Sequence, residues 1–170
     1  YYKNFKQYPK ELEVQVNAAI AEMEDNLNFK FGGKGFPLLV SVRSGSRASM
    51  PGMMDTVLNL GLNDITVNTL AVASNDERFA YDSYRRFIQM YSDIVLGVPH
   101  EDFEELLEAE KLSNELILDT ELGTENMKSL VNKYKDLVKS STKVDFPQDP
   151  KSQLWGAISA VFDSWKNQRA

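Results

Sequence analysis

Two short strand-like runs with a small-residue loop between them constrain this chain more than any other feature. Leu38–Val42 is apolar and β-branched and follows Pro37, while Thr56–Leu60 alternates in polarity until Gly61 stops it. Between them lie about a dozen residues rich in Ser, Gly and Met, carrying Arg43 and Arg47. So small-residued a loop can bring its backbone N–H groups close to an anion. The two guanidinium groups can add charge-assisted hydrogen bonds. The pattern reads as strand, anion-gripping loop, strand.

Charge points the same way. The chain carries −6 overall, yet no Asp or Glu falls between Asp25 and Asp55. That interval holds Lys30, Lys34, Arg43 and Arg47, so it carries +4 and the remainder −10. A local basic island in an acidic protein suits a bound anion, whereas nucleic acid usually needs a broader basic face. The alternative is four basic side chains on a solvated surface.

Around this centre the pattern is helical. Residues 10–28 follow Pro9 with Leu12, Val16, Ile20, Met23 and Leu27 on one stripe, which should pack on the sheet that holds the loop. Phe31–Gly35 is a connector; its Gly-Gly-Lys-Gly string lacks the spacing of a Walker A motif, which leaves Lys34 as a turn lysine. After the loop, Asp64–Ala73 is a short helical candidate. Asn75 can cap a longer helix with Phe79, Tyr84, Phe87, Ile88, Tyr91, Ile94 and Val95 inward, closed by Gly97 and Pro99. Glu101–Leu112 and a helix from Thr124 or Glu125 follow, and Pro150 starts a last one. Periodicity thus divides the chain into an α/β part over 1–63, a helical insertion over 64–148 with its own core, and a returning helix over 149–170.

Other chemistries fail. The chain has no Cys and one His, so no disulfide framework, thiolate chemistry or Cys/His metal cluster arises. No apolar run approaches the roughly 18 residues of a membrane span, and no secretory signal is visible. Ser44, Ser46 and Ser49 lack a nucleophile elbow and a base. His100 precedes Glu101 and Asp102 at a helix start, a capping-region position. Arg85 and Arg86 are neighbours on a helix, so one must leave the apolar stripe; a solvated face is the plain reading, an electrostatic contact with another domain the functional one. The start at Tyr1 and the end at Ala170 suggest a piece of something longer.

Three stretches carry a family resemblance: SVRSGSRASMPGMMDTVLNLGLND from Ser41, FAYDSYRRFIQMYSDIV from Phe79, and FPQDPKSQLWGAISAVFDSWKNQRA from Phe146. The first closely resembles the signature of the pyruvate, phosphate dikinase family in its N-terminal nucleotide-binding domain; the others look like further segments of the same domain. One departure is Ser46, where the family more often has Ala. The resemblance implies an α+β but predominantly helical fold, part of an ATP-grasp-like nucleotide-binding domain with few strands and an inserted small helical bundle. It also implies that the arginine matching Arg43 contacts ATP phosphates. Ser49–Met54 would form a flap over the nucleotide, through backbone N–H groups at Gly52 and Met53. Met50, Met53 and Met54 would give adaptable lid surface, or ordinary packing at the loop base. Asp55 would orient Arg43 or Arg47, face a nucleotide-bound Mg²⁺ through water, or cap the structure; an Arg43–Asp55 pair is the structural alternative.

By the same resemblance the parent enzyme is a phosphotransferase of pyruvate metabolism. It interconverts ATP, phosphate and pyruvate with AMP, pyrophosphate and phosphoenolpyruvate, using ATP and Mg²⁺. Its partners would be a phosphohistidine domain and a pyruvate/phosphoenolpyruvate barrel in a homodimeric, cytoplasmic enzyme, with an organelle left open, and neither nucleic acid nor membrane. This chain would hold no catalytic residue and no metal ligand of its own. The family's ATP-contacting lysine would lie upstream of Tyr1, and the chain alone would be inactive. Two rivals remain. Phosphoenolpyruvate synthases and glucan water dikinases share a strand-Arg-Ser start, although Arg47–Gly52 favours the phosphate-using enzyme; alternatively the chain is a helical docking module with no nucleotide binding.

Overall fold

A computed structural model of the chain describes residues 8–33, 35–44 and 56–164. Helix α1 (Lys10–Leu27) starts behind Pro9 and stops where Asn28 turns left-handed at φ 56°. Its expected stripe is only partly used. Val16 and Ile20 rest on the core, but Met23 and Leu27 are exposed, as are Phe29 and Phe36 beyond them.

The expected strand over Leu38–Val42 is two strands. Pro37–Leu38 (β2) lies parallel to Lys30–Phe31 (β1), and after Leu39 the chain changes partner: Val40–Arg43 (β3) runs antiparallel to Thr56–Leu60 (β4). Val40 pairs with Leu60 but Val42 with Val57, so β4 carries one extra residue between those pairs. Asn59 accommodates that bulge at φ 59°, a conformation Asn tolerates better than most residues. Val57 and Leu60 therefore both point inward although they are three apart. Gly61 then turns at φ 106° with Leu38 O and the Phe31 ring each 3.1 Å from where a Cβ would sit, so only glycine fits.

Five helices follow: α2 (Thr66–Ser74), α3 (Glu77–Tyr91), α4 (His100–Ser113), α5 (Thr124–Thr142) and α6 (Pro150–Ser164). The cap of α3 is Asp76, not the expected Asn75: its carboxylate accepts the Phe79 N–H at 2.8 Å, and Asn75 instead closes α2 in the left-handed region. Phe79 is half exposed and Ala80 takes the inward place at that end, while Tyr84, Phe87, Ile88 and Tyr91 are buried as expected. At its far end α3 widens into a π-turn over Ser92–Leu96, closed by Gly97 at φ 72°.

Helix α3 is the centre of the packing, against α2, α4, α5 and β4, while α6 lies across β3 and β4. Tyr84, Phe87 and Tyr91 surround Phe146 with ring centroids 5.6–6.4 Å apart, and Phe103 meets Tyr134 edge-on at 4.9 Å. One continuous core runs from Val57, Leu60 and Leu62 through these rings to Leu154 and Ala157, so the helices share a core with the strand pair rather than holding a separate one. Gly156 lets α6 close on α3, since a Cβ there would lie 2.2 Å from the Tyr91 hydroxyl. Burial pushes that phenol up to about 12.

A polar clasp locks the junction. The fully buried Gln153 accepts the Gly61 N–H at 2.9 Å and donates to Leu62 O and Pro147 O, both at 2.8 Å. Asn63 accepts the N–H groups of Ile65 and Thr66 and donates to Gln148 O at 2.9 Å. Gln148 in turn accepts the Asp64 N–H and donates to the Tyr84 hydroxyl. The backbone groups at this turn are thus met partly from within it, by Asn63 and Thr66, and partly from across the junction, by Gln148 and Gln153.

Candidate functional site

Strand β3 ends at Arg43 and β4 begins at Thr56, and these two residues face each other in register. The segment expected to grip an anion therefore leaves and rejoins the sheet at one edge. Alternation along β3 turns Val40 and Val42 toward the core and leaves Ser41 and Arg43 exposed. Both halves of the strand pair are held from below by α6 and α3, a rigid mount for a guanidinium.

Among the described residues, no carboxylate pairs with Arg43. The other described arginines are all engaged. Arg78 donates to Leu122 O at 2.6 Å and to Asp119 O at 2.9 Å. Arg85 and Arg86 share Asp82, at 2.8 and 3.0 Å. Just past Arg43, Ser44 continues the inward alternation, and its hydroxyl oxygen is buried with no hydrogen-bond partner. Ser44 was absent from the candidate residues read from sequence. The signal for it was available: at an inward position after Val40 and Val42, a hydroxyl breaks the apolar pattern.

Ser49, Gly52, Met53 and Asp55 lie outside the described residues, as do Lys34, Arg47, Met50 and Met54. Of the expected site residues the structure places Arg43.

The adjacent arginines of α3 divide as a helix must divide neighbours. Arg86 is on the outside with its side chain 61% exposed, whereas Arg85 is buried, its side chain only 3% exposed, against Asp82. Burial opposes the Asp82 charge, but hydrogen bonds from Arg85 and Arg86 outweigh it and hold the carboxyl below its usual range. These arginines border a cavity of about 370 Å³ with Gln89, His100, Glu104 and Asp119. His100 opens α4 exposed, 3.4 Å from Glu104. Each basic group in that cavity faces an acid already, which leaves no net pull on an anion.

Among the described residues, no group of three or more His, Asp or Glu side chains is placed to hold a metal ion. No described helix is long and apolar enough to cross a membrane. An unpaired cation and an unpartnered hydroxyl at a strand end match the needs of an oxyanion, and phosphate oxygens accept from both groups.

Residues 5–170 match the family model described as pyruvate phosphate dikinase, AMP/ATP-binding domain. The chain is 53% identical over 170 residues to a pyruvate, phosphate dikinase of Rhizobium meliloti (strain 1021), covering 100% of this chain and 19% of that protein. It is 52% identical over 171 residues to one from Clostridium symbiosum, covering 100% of this chain and 20% of the relative. It is 47% identical over 170 residues to a chloroplastic one from Flaveria trinervia, covering 100% of this chain and 18% of the relative. The chain thus spans about a fifth of the length of these relatives.

Proposed function

The chain belongs to the pyruvate phosphate dikinase AMP/ATP-binding domain family, and from that premise we propose that it supplies part of the grip on the phosphates of ATP. The observation that carries this reading is Arg43: an exposed guanidinium at the end of a braced strand, without a carboxylate partner among the described residues. The planar fork of an arginine gives two parallel hydrogen bonds to one phosphate, and its charge offsets the negative charge that shifts during phosphoryl transfer. Ser49, Gly52, Met53 and Asp55 join Arg43 in this proposal, the first three as cover over the nucleotide and Asp55 as its orienting partner.

The wider role follows the relatives' name. The parent enzyme converts ATP, phosphate and pyruvate to AMP, pyrophosphate and phosphoenolpyruvate through a carrier histidine on another domain, and this chain positions the donor. Mg²⁺ enters with the nucleotide and neutralises phosphate charge; no protein-held metal step is assigned to the described residues. The chain by itself has no dikinase activity on this reading, because it offers positioning groups and no acceptor. Residues 64–148 act as the helical insertion and 149–170 as the return to the strands.

The test is a titration of this chain with Mg·ATP, followed by NMR on the backbone amides and on the Arg43 side chain. Shifts centred on Arg43 and the residues up to Thr56, lost in Arg43→Ala, are expected. Shifts confined to the helices would replace this reading with that of a helical docking module, and none at millimolar nucleotide would sink the claim that this chain grips ATP by itself.

A further inference from the structure

We propose that the Ser44 hydroxyl is a second donor to a phosphate oxygen of the nucleotide, alongside Arg43; this rests on the ATP-binding reading above. Among the described residues, two side-chain hydroxyls are buried without a hydrogen-bond partner, those of Ser44 and Ser92. Ser92 lies within the π-turn and is wholly enclosed by the helical core. Ser44 is different: its hydroxyl is enclosed too, but the residue is the first beyond β3 and as a whole only partly buried, at the mouth of the strand pair.

A hydroxyl taken out of water with no acceptor destabilises the fold, because it loses its bonds to solvent and gains none. Alternation makes the cost plain. After Val40 and Val42 the next inward position favours an apolar side chain, and Ala would fill it without penalty. The penalty vanishes once an acceptor arrives. The neighbourhood selects which acceptor: no Asp or Glu occurs between Asp25 and Asp55, and the adjoining Arg43 has no carboxylate among the described residues. An anion seated over the end of β3 is reached by the guanidinium from the outer face and by the hydroxyl from the inner one. The hydroxyl donates its proton to a phosphate oxygen while the guanidinium donates its N–H groups, so one oxyanion satisfies both.

This assignment makes stability and affinity move in opposite directions, which a merely structural serine would not do. The experiment compares the chain with its Ser44→Ala, Ser44→Thr and Arg43→Ala variants, measuring Mg·ATP affinity by titration and thermal unfolding without nucleotide. Ser44→Ala is expected to weaken Mg·ATP about tenfold, with a nucleotide-free Tm equal to or above that of the parent chain. Ser44→Thr keeps the hydroxyl and is expected to bind within roughly threefold of the parent chain. If Ser44→Ala binds normally while Arg43→Ala does not, the Ser44 role falls and the ATP reading stands. A lower nucleotide-free Tm in Ser44→Ala, or equal losses of affinity in Ala and Thr, would make the residue structural and overturn the proposal. If the parent chain binds no Mg·ATP, or Arg43→Ala binds as well as it does, the ATP reading itself fails and this inference with it.

Discussion

The helical part and the strand pair share a core but differ in how completely their polar groups are used. In the helices each buried charge has an answer. Glu110, 5% exposed, receives hydrogen bonds from Lys133 at 2.6 Å, Asn126 at 3.1 Å and Ser129 at 3.3 Å. Arg85, equally enclosed, is met by Asp82. At the open end of the strand pair, among the described residues, Arg43 has no carboxylate and the Ser44 hydroxyl has no hydrogen-bond partner. The difference teaches where to look for function: saturated polar networks hold a fold together, and an unsatisfied hydroxyl at an open strand end, unlike that of Ser92 enclosed in the core, marks a place for a ligand.

The contrast is sharpest in what each region loses to a single change. Phe87→Ala would empty the ring cluster around Phe146 and cost about 3–5 kcal/mol, read as a fall in the urea midpoint. A loss below about 1 kcal/mol would mean that the helical core is loosely packed. Gln153→Met removes three hydrogen bonds from the clasp and strands buried backbone groups, at an expected cost of about 2–3 kcal/mol. If that variant is as stable as the parent chain, water can serve the junction and the clasp is ornamental. Arg43→Ala takes the opposite profile: Mg·ATP affinity falls roughly 10- to 100-fold, while the urea midpoint moves little. A destabilised Arg43→Ala would move that residue into the structural class and erase the comparison.

The smallest effect is on acid stability. Burial works against the Glu110 charge, but the Lys133, Asn126 and Ser129 hydrogen bonds outweigh it and lower the pKa from its ordinary 4.5. A depressed folded pKa means that the unfolded chain takes up the proton first as pH falls. The contribution of Glu110 is therefore whole above about pH 4.5 and is lost as the pH drops through the lowered value; Asp82 behaves alike from its ordinary 3.8. Denaturation midpoints measured from about pH 6 down to pH 3 should fall less steeply in Glu110→Gln than in the parent chain. An unchanged slope would show that this carboxylate is no better placed folded than unfolded.

What local pattern can express, the sequence made visible. Helix α5 was legible because Met127, Leu130, Val131, Tyr134 and Val138 recur at helical spacing and all are buried. The bounds of β4 were legible from Thr56 and the stop at Gly61. Arg43 was placed at a strand end by the change from apolar to small residues, and it lies there. The bulge at Asn59 was hidden, because a strand that slips by one residue mimics poor alternation. Gln153 and Asn63 were hidden for a different reason: their partners across the junction lie 85–92 residues away in the chain, beyond the reach of any periodicity. The burial of Arg85 was hidden likewise, since only packing against α4 and α5 decides which of two neighbouring arginines turns inward. Ser44 shows the converse, a site feature whose signal was local and small.

The hydrogen bond from Asn63 to Gln148 spans 85 residues of chain in 2.9 Å. In polymer terms the whole helical stretch is a ring with a clasp: it adds mass and surface but no net displacement between β4 and α6. Lengthening or shortening a connection inside that ring leaves the gap across its mouth unchanged, and the entropy of closing it grows only with the logarithm of its length. Such a ring can be exchanged between related proteins as one piece, provided that the Asn, the two Gln and the apolar seam travel with it.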